Sequence, residues 1–138
     1  MREVVKKQEE VFQAHIRLAR ELEKPLMVHC RPSKEDPRDA YRKVVELLLS
    51  VGARGRTPLP PASADTPLRG VVHCFIGDTA TACEFLKLGF YISFTGIITF
   101  KNSSLATVVS EVPLERMLIE TDAPYLAPEP FRGKTNYP

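Results

Sequence analysis

Along residues 4–23 the apolar side chains Val4, Val5, Val11, Phe12, Ile16, Leu18, Ala19 and Leu22 recur at three- and four-residue steps. Lys6, Glu10, Gln13, Arg17 and Glu21 fill the opposite positions. That period predicts an amphipathic helix, which Lys24-Pro25 ends. Leu26-Met27-Val28-His29-Cys30 is a short apolar run bounded by turn residues, the pattern of a strand buried on both faces. Asp36-Pro37 reads as an N-cap followed by proline at the first helical position. From there Tyr41, Val44, Val45, Leu48 and Val51 carry a helical stripe to Gly52. Residues 53–69 hold Pro58, Pro60, Pro61 and Pro67 among small and polar neighbours, which predicts an exposed surface loop. Val71-Val72-His73-Cys74-Phe75 repeats the earlier strand design. Asp78 then caps a helix bearing Ala82, Cys83 and Leu86, and Gly89 terminates it. Residues 90–94 form a third strand. Asn102 caps a further helix striped by Leu105, Val108, Val109 and Val112 and stopped by Pro113, and Met117-Leu118-Ile119 enters a fourth strand ending at Glu120-Thr121-Asp122. From Ala123 onward the chain is irregular.

Strands separated by single helices imply a parallel sheet with right-handed crossovers, an α/β architecture. Ligands of such sheets sit beyond the carboxyl ends of the strands. Three of the four predicted strands end there in a metal-competent or ionisable side chain: His29, His73 and Asp122. Two imidazoles and a carboxylate on one rim can hold a divalent ion and lower the pKa of a bound water. Their separation in the chain provides no local ligand motif, so convergence depends on the strands being parallel. Taken singly, a histidine that ends a strand is more often a hydrogen-bonded structural residue. His15 lies near an apolar helical stripe and reads as a packing residue. Cys30 and Cys74 follow the two histidines and, by strand alternation, face the helices as small buried residues. Arg31, just past its strand, either reaches a phosphate or solvates its loop.

Composition narrows the setting. With 138 residues, 43% of them hydrophobic and 26% charged, the chain has the profile of a folded globular domain. Its 19 basic and 17 acidic side chains leave a net charge of +2, too little for a broad basic field, so contact with phosphates must be local or metal-assisted. No apolar run approaches the roughly 20 residues of a membrane span, and the charged start does not resemble a secretory signal. Three cysteines without paired spacing argue against a disulfide framework. These features fit a reducing, cytoplasmic or nuclear setting.

Four segments carry a family resemblance: Val28-His29-Cys30-Arg31, His73-Cys74-Phe75-Ile76-Gly77, the stretch Glu120-Thr121-Asp122-Ala123-Pro124-Tyr125-Leu126-Ala127-Pro128, and Arg132-Gly133-Lys134-Thr135-Asn136. Together and in this order they resemble the TatD-type deoxyribonucleases. That resemblance implies a (β/α)₈ metal-dependent hydrolase acting on DNA, including as a 3′ to 5′ exonuclease. It makes His29 and His73 metal ligands, Asp122 a ligand that also orients or deprotonates the attacking water, and Arg132 and Asn136 rim residues. With Arg31, these last two are the candidates for substrate binding. Tyr137 stands where the family has Glu. The implied cofactor is a divalent ion, Mg²⁺, Mn²⁺ or Zn²⁺.

The family's His-x-His pair and its Gly-Glu strand have no match before His29. A full barrel needs about 250 residues, so residues 1–138 read as a single partial barrel domain of about four strands, its second half, without the final helix. Exposed sheet edges then favour self-association or a partner. Weak metal binding and greatly reduced activity are expected of the chain alone. Two alternatives remain open, a non-catalytic interaction fragment and a hydrolase of small esters or amides.

Overall fold

The computed structural model describes residues 2–51 and 68–138. Helix α1 (Arg2–Glu21) leads into strand β1 (Leu26–His29), followed by α2 (Asp39–Ser50), β2 (Gly70–His73), α3 (Thr79–Lys87), β3 (Tyr91–Phe94), α4 (Leu105–Glu111) and β4 (Met117–Ile119). The four strands form one parallel sheet in chain order, β1-β2-β3-β4. Among the described residues one α-helix lies between each pair of neighbouring strands, so the sequence-derived α/β architecture is the observed one.

Strand alternation sorts the side chains. Val28, Val72 and Ile92 are buried against the helices, where Tyr41, Phe75, Phe85, Phe90 and Phe94 build the centre of the core. Ring pairs at 5.2 Å (Tyr41–Phe75) and 6.1 Å (Phe85–Phe90) are tilted rather than stacked flat, the geometry aromatic quadrupoles favour. Tyr41 also accepts a hydrogen bond from the Ile76 N–H at 3.1 Å. Burial pushes its phenol up to about 12, against smaller opposing hydrogen bonds, so α2 is tied to the segment that leaves β2.

The structure corrects several sequence expectations. Strand β1 is not buried on both faces: Met27 is 71% exposed and His29 is exposed. It is an outer strand, and the helices cover only its Val28 side. Much of the α1 stripe is also open to solvent, Val4, Val5, Val11, Leu18 and Leu22 among it, while Ile16 and Ala19 reach the core. The stripe was therefore wider than the surface available to cover it. His15 is exposed rather than packed, its Nδ1 lying 2.9 Å from the Val11 carbonyl.

Asp36 does not cap α2. Its carboxylate accepts the Arg38 N–H at 2.9 Å and pairs with Arg42, closing a turn that contains Pro37 and delays the helix to Asp39. Asn102 likewise gives way to Ser104 at the cap position of α4, with the Ser103 hydroxyl accepting the Leu105 N–H. Asp78 does cap α3, accepting the Thr81 N–H at 2.9 Å. Gly89 follows that helix with φ of 85°, the left-handed conformation glycine adopts at no steric cost. Residues 52–67, which include Gly52 and nearly all of the proline-rich stretch, lie outside the described residues. Leu68, at the end of that stretch, is buried in the core.

Candidate metal centre

Parallel pairing brings the two histidines together. His29 and His73 are register partners across β1 and β2, with ring centroids 5.8 Å apart. Beyond β4, Asp122 reaches the same end of the sheet, its Oδ1 lying 3.4 Å from His73 Nε2. Two ligands about 2.1 Å from one ion at a tetrahedral angle stand about 3.4 Å from each other, so this pair has the spacing of neighbours in one coordination shell. A borderline imidazole beside a hard carboxylate also suits the divalent ions that hydrolases use. The set does not close on a third donor: among the described residues no group of three His, Cys, Asp or Glu side chains converges on one point. His29 stands at the same rim but outside the pair.

Glu120 was not among the sequence candidates, and it connects three strands. Its Oε1 accepts the Cys74 N–H at 2.7 Å, and its Oε2 lies 2.8 Å from His73 Nδ1. Its N–H donates to the Phe94 carbonyl at 3.0 Å. Burial opposes ionisation of this carboxyl, but the Cys74 N–H bond, the nearby His73 ring and Ser93 outweigh it and hold Glu120 below its ordinary value. Cys74 itself adopts φ of 50°. A non-glycine residue in this region carries a cost of about 1–2 kcal/mol, and the turn aims the Cys74 N–H at the carboxylate. Period-two alternation was the available signal: Leu118, Glu120 and Asp122 share one parity, the parity that faces the histidines.

Cys30 and Cys74 are buried and Cys83 is exposed. All three are free. Cys30 is buried in the core, and desolvation pushes its thiol up to about 12. Cys74 is also raised by burial, against a weaker contact of its sulfur with Thr95 Oγ1 at 3.6 Å.

After Asp122 the chain is irregular but ordered. Tyr125 N–H donates to the Asp122 carbonyl at 2.7 Å, and Ala127 is buried. Asn136 is buried too: its side-chain amide donates to the Tyr125 carbonyl at 2.8 Å, and its N–H to that of Pro124 at 3.0 Å. These bonds anchor the segment carrying Asp122. A Cβ at Gly96 would fall 2.7 Å from the Leu126 carbonyl oxygen, so glycine there lets this segment approach β3. Arg132 lies over the Phe100 ring at 4.4 Å, and Arg31 is exposed beyond His29.

A four-stranded parallel α/β sheet, with histidine and carboxylate side chains gathered at its carboxyl rim, is the arrangement of one part of a barrel-type α/β fold. The family model for TatD related DNases matches residues 1–138. The chain belongs to that family. It is 45% identical over 132 residues to an uncharacterized metal-dependent hydrolase of Buchnera aphidicola, covering 95% of this chain and 43% of that protein. It is 44% identical over 133 residues to the uncharacterized metal-dependent hydrolase YcfH of Escherichia coli, covering 96% and 43%. The crystal structure of YjjV, a TatD homolog from Escherichia coli, superposes with a TM-score of 0.74 at 27% identity, over 96% of this chain and 44% of that one. The chain thus spans less than half the length of the curated relatives it matches. Among the described residues no helix is long and apolar enough to cross a membrane.

Proposed function

We propose that this chain supplies part of the active site of a divalent-metal-dependent hydrolase that cleaves DNA phosphodiester bonds, as a 3′ to 5′ exonuclease. The 3.4 Å approach of His73 Nε2 to Asp122 Oδ1 at the strand ends carries this reading. The residues that would hold the ion are His73 and Asp122, with His29 beside them. A bound Mg²⁺, Mn²⁺ or Zn²⁺ supplies a water of lowered pKa and charge to set against the phosphate.

The protein's own groups do the rest. Asp122 is more exposed than His73; with Oδ1 turned to the ion, its other carboxylate oxygen orients water and takes its proton. Arg31 offers a cation to a phosphate arriving over His29. Arg132, on the tail that follows Asp122, lies over the Phe100 ring and offers a second cation. With two donors converging among the described residues, the chain alone turns over slowly.

Incubating 3′- and 5′-labelled single-stranded DNA with the purified chain and each metal tests this, with Asp122→Asn as the parallel control. Slow, metal-dependent loss of the 3′ label that disappears in the variant is expected. Degradation undiminished by Asp122→Asn contradicts it. Turnover of small esters or amides without DNA cleavage favours a small-molecule hydrolase.

One observation favours a second role. Met27 on β1 and Ile119 on β4, the two outer strands, are 71% and 88% exposed, which suits pairing with another chain or a second copy. A stoichiometric partner, with behaviour unaltered by His29→Ala and His73→Ala, supports an interaction fragment instead.

A further inference from the structure

His73 sits between two carboxylates, and they are not equivalent. Nδ1 lies 2.8 Å from Glu120 Oε2, whereas Nε2 lies 3.4 Å from Asp122 Oδ1. The first separation is that of a hydrogen bond and the second exceeds it. Nδ1 is sealed from solvent and has no aligned hydrogen-bond partner in this rotamer. The Glu120 oxygen is within hydrogen-bonding distance but stands off the axis of the ring N–H.

An unprotonated Nδ1 would set its lone pair against carboxylate lone pairs at 2.8 Å in a space closed to water, a repulsion nothing nearby relieves. Glu120 cannot readily turn away. Its other oxygen is held by the Cys74 N–H, and its backbone is bonded to Phe94.

We infer that Glu120 is a positioning residue, fixing the proton of neutral His73 on Nδ1 and thereby turning the lone pair of Nε2 toward Asp122. The arrangement has the logic of a carboxylate behind a ligating histidine, which sets the tautomer and the ring plane before any ion arrives. The inference concerns the metal-free ring; only its consequence for metal affinity rests on the hydrolase reading.

The test is the tautomer of His73 in the ¹⁵N-labelled, metal-free chain at about pH 9, above the ordinary histidine range. Long-range ¹H–¹⁵N correlations read it, and His73→Ala identifies its signals among three histidines. The wild-type ring is expected as the Nδ1–H form. In Glu120→Gln the side-chain carbonyl keeps the Cys74 N–H and the amide NH₂ turns to Nδ1, so the population moves to the Nε2–H form while the backbone spectrum stays that of the folded chain. A residue that merely supported the fold would not invert a tautomer. Wild-type His73 as the Nε2–H form overturns the inference whether or not the variant folds, as does a folded Glu120→Gln with the tautomer unchanged. In a Zn²⁺ titration Glu120→Gln is expected to weaken binding by about 10–100-fold. Failure of the wild-type chain to bind Zn²⁺ at all contradicts the hydrolase reading and leaves the tautomer result to judge Glu120.

Discussion

Alanine at Gly70 tests how tightly β1 and β2 are locked together beneath the two histidines. A Cβ there would lie 2.3 Å from Phe90 Cε1 and 2.6 Å from the Leu26 carbonyl oxygen, where real Cβ contacts stay beyond 3.0 Å. The Phe90 ring must therefore retreat by about 0.7 Å, and it is fully buried with Phe85 against it. The Leu26 carbonyl is backbone, on the strand that pairs in register with Gly70, so it cannot yield without parting β1 from β2. Overpacking of this kind costs about 1–3 kcal/mol, and the backbone contact puts Gly70→Ala at the upper end. The lower unfolded-state entropy of alanine returns about 0.4–1 kcal/mol. The net loss is about 2 kcal/mol, a fall in Tm of roughly 6–10 °C for a domain of this size.

Urea unfolding followed by circular dichroism measures it, with a lower midpoint and an unchanged slope expected. Phe90→Leu in the same chain vacates the space the new methyl needs, so the double variant should lose less than the two single losses combined. Strict additivity, or a Gly70→Ala chain as stable as wild type, refutes the reasoning.

The remaining expectations concern the thiols and the α3 cap. Cys83 is exposed whereas burial raises the thiols of Cys30 and Cys74. Iodoacetamide at about pH 8 should therefore label Cys83 in the folded chain and the other two only after unfolding, and peptide mass spectrometry showing Cys30 labelled as fast as Cys83 contradicts this. Asp78→Ala should cost about 1 kcal/mol through the lost cap, which also pairs with Arg38. The Thr81 N–H, more than any other group, holds the Asp78 carboxyl below its ordinary value, against burial. Its contribution is thus complete above the ordinary aspartate range near 4 and is lost as pH falls through the lowered native value. The gap between wild-type and variant urea midpoints should narrow on acidification from about pH 7 to 3, and a gap that widens contradicts the assignment.

The strand-helix order was legible because each strand is a short apolar run and each helix a 3.6-residue stripe, and the parallel sheet followed from their alternation. Caps were less legible where several candidates crowd together: Asp36 closes a turn instead of starting α2, and Ser103 and Ser104 displace Asn102. Burial was the least legible. The pattern marks which side chains are apolar, but covering them is a property of neighbouring elements, so Met27 and Ile119 stay exposed. At the rim, the shared end of His29, His73 and Asp122 was readable from strand position. The approach of His73 to Asp122, and the standing of His29 outside that pair, depend on register and side-chain direction. Glu120 was hidden because an acidic residue at a strand end reads as solvated until β2 and β4 are seen to converge on it.

The most direct test of the metal centre is calorimetric titration of Mn²⁺ into the metal-free chain, with His73→Ala and Asp122→Asn in parallel and His15→Ala as the control. One weak site is expected in the wild type, retained in His15→Ala and weakened at least about tenfold when either member of the His73–Asp122 pair is removed. Binding undiminished in both site variants, or absent from the wild-type chain, contradicts the assignment of these two residues as metal ligands.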